Sequence, residues 1–158
     1  MPQVAERHSS TTRTPGITVA RAHVTADLPA SAFFARWADM ATWPQWNTDT
    51  AWVRLDGPFA AGATGELKPK GGPKTKFVVA VLTPSEFTDV SLLFGARLTF
   101  RHLVDTVSGG HTRIDVTVTL AGPLARVWNL ILGKGIRNGI QADLEHLVRA
   151  AAEVAPAS

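Results

Sequence analysis

The chain has no cysteine and no tyrosine among its 158 residues. The first absence excludes disulfides, thiolate nucleophiles and cysteine-ligated metals. The second removes the phenol as an acid or oxyanion donor. Charge is sparse: 16 basic against 13 acidic residues leave a net +3, with no basic tract to suggest nucleic acid as a partner. No apolar run approaches the roughly 20 residues of a membrane-spanning helix. His8, His23, His102, His111 and His146 fall into no H-E-x-x-H or related spacing, so neither metal nor cofactor is expected. A Walker loop and a G-x-S-x-G nucleophile elbow are also missing.

What is present is the material of one globular domain: 45% hydrophobic and 18% charged residues, with five Trp and seven Phe supplying all the aromatic surface. Residues 1–15 are polar, rich in Ser and Thr, and lack the apolar core of a secretory signal. They read as a disordered tail, with a cytoplasmic location as the default, and residues 16–155 as a single domain.

β-branched residues, loose alternation and turn signals place strands at 17–26, 50–55, 64–70, 75–83, 86–93, 97–107 and 111–120. The last is the cleanest, with Ile114, Val116, Val118 and Leu120 on one face and Arg113, Asp115, Thr117 and Thr119 on the other. Short turns join strands two to seven, which predicts an antiparallel sheet. Between the first two strands, Phe33, Phe34 and Trp37 give residues 29–37 one apolar helical face. Trp43-Pro44-Gln45-Trp46 follows, and its proline predicts an extended or turn geometry at Trp43. The paired indoles serve either as a core plug or as part of a ligand cavity. Lys68, Lys70, Lys74 and Lys76 surround a Gly71-Gly72-Pro73 hairpin tip and read as a solvated loop.

Residues 122–154 carry helical periodicity in two stripes. Leu124, Val127, Trp128, Ile131 and Leu132 form one; Ile136, Ile140, Leu144, Leu147, Val148 and Ala151 form the other. Their centres lie roughly 165° apart on a straight helix, so a rigid rod would leave one stripe in water. Gly133-Lys134-Gly135 lies between them and predicts a break.

The segments V-T-A-D-L-P-A-S-A-F-F at 24–34, W-P-Q-W at 43–46, L-D-G-P-F with Gly62 at 55–62, F-R-H at 100–102 and G-P-L-A-R-V-W-N-L-I-L-G-K-G-I at 122–136 resemble the START-like (SRPBCC) superfamily, in its polyketide cyclase/dehydrase-type branch. The likeness covers about 17–154. It implies an α+β helix-grip fold: a curved antiparallel sheet of about seven strands wrapped on a long, bent C-terminal helix, with two short helices between strands one and two. It also implies a cavity between sheet and helix. Superfamily members include carriers and binders of apolar molecules and cofactor-independent aromatase/cyclases.

In the sixth strand the period of two puts Leu98, Phe100, His102 and Val104 on one apolar, inward face. His102 is then either a core histidine bonded to a backbone carbonyl or buried water, or a cavity group that exchanges a hydrogen bond or a proton near neutral pH. Glu66, Asp49 and Asp89 sit on or beside strands with no diagnostic spacing to it. The expected ligand-binding set is Trp43, Trp46, Phe94, Leu98, Phe100, His102, Val104, Val118, Trp128, Ile136 and Ile140, with His102 as the catalytic candidate. The expected partner is a small hydrophobic or aromatic molecule. A homodimer stays open. Two functions fit: a non-covalent binder of such a molecule, or a cofactor-independent cyclase, aromatase or dehydratase that uses His102 as acid and base.

Overall fold

The computed structural model describes residues 16–154, so the expected tail at 1–15 lies outside the described residues. Seven strands form one antiparallel sheet: β1 (Ile17–Ala26), β2 (Thr50–Asp56), β3 (Thr64–Pro69), β4 (Thr75–Thr83), β5 (Glu86–Leu93), β6 (Ala96–Val107) and β7 (His111–Ala121). Their order across the sheet is β1-β7-β6-β5-β4-β3-β2, so each strand from β2 to β7 pairs with its neighbour in sequence and β1 closes beside β7. Helices α1 (Ala30–Ala38) and α2 (Trp43–Trp46), with a single 3-10 turn between them, connect β1 to β2, and α3 (Ala125–Val154) follows β7. The strands expected from sequence match these to within a residue or so.

The inner face follows from register. On β7, Ile114, Val116, Val118 and Leu120 are all buried, as the alternation requires. Their β1 partners include Ala20 opposite Val118 and Ala22 opposite Val116. These small side chains let α3 lie close on β1, the strand it packs against most, with α1 beside it. Gly65 on β3 plays a similar part. A Cβ there would meet the Phe77 ring at 2.6 Å, so glycine leaves the space that Phe77 occupies.

Helix α3 corrects one expectation. It runs unbroken for 30 residues, and none of Gly133, Gly135 and Gly139 has a positive φ. Glycine permits a break but does not impose one. The second stripe is covered and much of the first is not: Leu144, Leu147 and Ala151 are buried, whereas Leu130 is 86% and Ile131 64% exposed and Val127 is exposed beside them. A second correction concerns Trp43, which has helical φ and ψ of −54° and −38° despite the proline after it. Its indole Nε1 donates to the Trp37 carbonyl at 3.2 Å and both its ring and that of Trp46 are buried. Tertiary packing outweighs the local preference at this position, and Pro44 sits in the first helical turn, where its missing N–H costs nothing. No described helix is long and apolar enough to cross a membrane.

Candidate functional site

The inner face carries an aromatic floor. Trp37, fully buried on α1, lies with its ring centroid 5.2 Å from Phe87 on β5 and 5.1 Å from His102 on β6. Phe87 and His102 are directly opposite in the ladder and their rings stack at 5.2 Å, inclined by 17°. The Trp43 and Trp46 rings, 5.5 Å apart, continue this cluster toward the edge of the domain.

His102 therefore points inward, as register predicted. Its Nδ1 lies 2.9 Å from the Phe87 carbonyl oxygen. A carbonyl only accepts, so Nδ1 carries the hydrogen and donates it, and in the neutral ring Nε2 is a bare acceptor. Burial penalises the imidazolium and pushes the pKa down to about 4, against a smaller opposing contribution from the Phe87 hydrogen bond. The ring is neutral at any ordinary pH.

Two carboxyls accompany it. Asp89 follows Phe87 by two residues on β5 and so shares the inner face, opposite Val79 on β4 and Phe100 on β6. Burial pushes its pKa up to about 7, offset in part by its own backbone N–H. Asp143 on α3 is raised to about 6, first by burial and then by the nearby Asp49 carboxylate. Glu66, by contrast, faces outward, paired with Lys74 at 3.0 Å and Arg54 at 3.3 Å. Of the hairpin lysines, Lys68 is satisfied within the loop, since its Nζ donates to the Pro69 and Gly72 carbonyls.

A cavity of about 60 Å³ opens beside His102, walled by Phe100 and Val116 on the sheet, Trp46 and Asn47 at the end of α2, and Ile140, Asp143, Leu144 and Leu147 on α3. It lies where the resemblance implied and is far smaller than the roughly 300 Å³ at which ordinary ligand pockets begin. The inner face extends beyond it. Leu55, Leu67, Leu93 and Phe100 point inward by register, and Ile136 and Ile140 of α3 belong to the same apolar layer, yet all six are only half-buried. This strip of sheet is incompletely covered.

Of the expected site residues, Trp46, Phe100, His102 and Ile140 wall the cavity, while Ile136 and Trp128 are half-buried on α3. Leu98, Val104, Val118 and Trp43 are buried in the packed core. Phe94 is a correction: it is 84% exposed on the β5–β6 turn, where its carbonyl accepts a 2.8 Å bond from Trp128 Nε1. Its hydrophobicity suggested an interior position, but it falls at the turn rather than on the strand. Asn47, Val116, Asp143, Leu144 and Leu147 are cavity residues outside the expected set. Val116 was recoverable from the β7 alternation and the two leucines from the second helical stripe. Nothing in sequence brings Asp143 and Asn47 together.

No family model matches the sequence, and no curated protein does. Solved structures are similar in fold. The Zhui aromatase/cyclase of a Streptomyces species has a TM-score of 0.68 at 14% identity, over 85% of this chain and 93% of that one. Norcoclaurine synthase from Thalictrum flavum, in complex with dopamine and hydroxybenzaldehyde, has a TM-score of 0.67 at 9% identity, over 90% and 91%. A hypothetical protein of Helicobacter pylori has a TM-score of 0.67 at 13% identity, over 90% and 91%. At such identities the likeness speaks to architecture: the chain has the START-like, helix-grip fold.

Proposed function

We propose that the protein binds a small hydrophobic or aromatic molecule between the inner face of the sheet and α3. One observation carries this reading: Leu55, Leu67, Leu93 and Phe100 face inward with Ile136 and Ile140, and all remain half-buried. Apolar surface left partly wet inside a domain gains roughly 25 cal/mol for each Å² that a guest covers. The norcoclaurine synthase of similar fold holds two small aromatic molecules, which supports the same class of guest here. A guest larger than a few atoms fills the strip alongside the 60 Å³ cavity or displaces Trp46 and Asn47 from α3. Native mass spectrometry of the protein as purified tests the reading. The expected result is a retained small molecule, released on denaturation; a protein that neither retains one nor takes up an added aromatic removes the proposal.

The second reading is a cofactor-independent cyclase, aromatase or dehydratase with His102 as acid and base. It is favoured by the carboxyl of Asp89 and the imidazole of His102 sharing one inner face, and by the fold similarity to an aromatase/cyclase. Against it, a pKa near 4 makes His102 a weak base at neutral pH. His102→Gln separates the two. Glutamine keeps an acceptor near the Nε2 position, so ligand affinity stays within about threefold under the binding reading. Under the catalytic reading the same change abolishes turnover, because glutamine moves no proton.

A further inference from the structure

We infer that Asp89 and the Nε2 atom of His102 are the polar ends of the binding site, two acceptors that select a guest carrying hydrogen-bond donors. This deepens the binding reading above and rests on it.

The acceptor character of Nε2 follows from the bond at the other ring nitrogen. With Nδ1 donating to the Phe87 carbonyl, the free nitrogen has only a lone pair to offer, and the ring is part of the cavity wall. Asp89 is its diagonal neighbour: Phe87 stands opposite His102, and Asp89 is the next inward residue of β5, which puts the two backbones about 7 Å apart.

Asp89 is only 8% exposed, and among the described residues its own backbone N–H is its one polar contact. No described residue supplies it with a counter-charge. Inward positions on β4 are Phe77, Val79 and Leu82; on β3, Gly65 and Leu67; on β7, Val116 and Val118. His102, neutral, is the only other ionisable group on the sheet's inner face among the described residues, and α3 offers the acid Asp143 at the cavity. Among the described residues Asp89 therefore caps no helix and joins no ion pair. A buried carboxyl without a partner lowers stability, and its position on the inner face, between Phe87 and Ser91, is explained by a partner that arrives with the guest. The indole N–H of Trp37 has no partner and lies in the core; that of Trp46, whose ring walls the cavity, also has no partner and is shielded from solvent.

Such a wall favours hydroxyl or amino hydrogens over ethers and hydrocarbons of the same shape. The test is isothermal titration at about pH 8, above the Asp89 pKa of about 7, with resorcinol and with its dimethyl ether, which keeps the ring and loses both donors. The wild-type protein is expected to bind resorcinol at least about tenfold more tightly, the worth of one charge-assisted hydrogen bond. Asp89→Leu should remove most of that preference while leaving affinity for the ether within about threefold. Asp89→Asn, which keeps an acceptor oxygen, should retain part of it and serves if the leucine variant folds poorly. Equal affinities in the wild type, or a preference that neither variant lowers, overturns the inference and leaves the binding reading intact. Failure to bind either compound removes the binding reading itself, and the inference with it.

Discussion

Replacing Asp89 with asparagine is expected to stabilise the protein relative to wild type by an amount that grows between about pH 4 and pH 8 and then levels off. The carboxyl has a pKa of about 7 in the folded chain against 3.8 for the free group, because burial disfavours its charge. Between those two values the folded state holds a proton that the unfolded state has released. Stability associated with Asp89 is thus fully present below about pH 4 and is lost as pH rises through 7. Each tenfold difference in proton affinity between the two states is worth about 1.4 kcal/mol, so the loss is on the order of 4 kcal/mol by pH 8. Asparagine has nearly the same shape and no proton to lose. Urea denaturation at a series of pH values checks this. The difference between variant and wild type should widen from about pH 4 to pH 8 and then level off. The acid limb due to His102, neutral when folded and protonated when unfolded below about pH 6.5, is common to both proteins and cancels in the difference. A difference that does not vary with pH would show that Asp89 is solvated or paired in solution.

The second large effect concerns Trp37. Its indole is fully buried and touches Phe33 and Phe34 on its own helix and Phe87 and His102 on the sheet, with centroid separations of 5.1 to 6.5 Å. Trp37→Ala removes the link between α1 and the inner face and leaves a void that its neighbours only partly close. The expected cost is about 3–5 kcal/mol, equivalent to a fall of melting temperature on the order of 10 °C. Water entering that void relieves the burial that holds His102 neutral, so the imidazole pKa should rise toward its ordinary value, visible by NMR titration. A loss below about 1 kcal/mol would mean that α1 does not cover the sheet as described.

The two residues differ in how far the sequence revealed them. Trp37 stands one turn from Phe33, and an apolar pair at that spacing is a readable helix face. Asp89 sits in a strand where Phe87, Asp89, Ser91 and Leu93 share one side and Thr88, Val90 and Leu92 the other. Neither side is clearly apolar, so hydropathy could not say which faced inward. Only pairing with β6, whose own inward side is unmistakable, decides it. His102 was legible for the converse reason, being flanked by Phe100 and Val104 at a period of two. The glycines of α3 misled because a residue that permits a break does not by itself make one. Trp43 misled because a weak preference before proline gave way to burial of a large ring. The fold itself was legible through turn chemistry, which requires no knowledge of distant contacts. The site was only half legible, because Asp143 and Asn47 meet across more than ninety residues of chain.

Methyl NMR during titration with resorcinol tests the central claim most directly. Shifts should concentrate on the inward methyls of Leu67, Leu93, Ile136 and Ile140, with Leu130 and Ile131 on the outer side of α3 unmoved. Perturbation confined to Leu130 and Ile131, or none anywhere at saturating resorcinol, would contradict a guest held between the sheet and its helix.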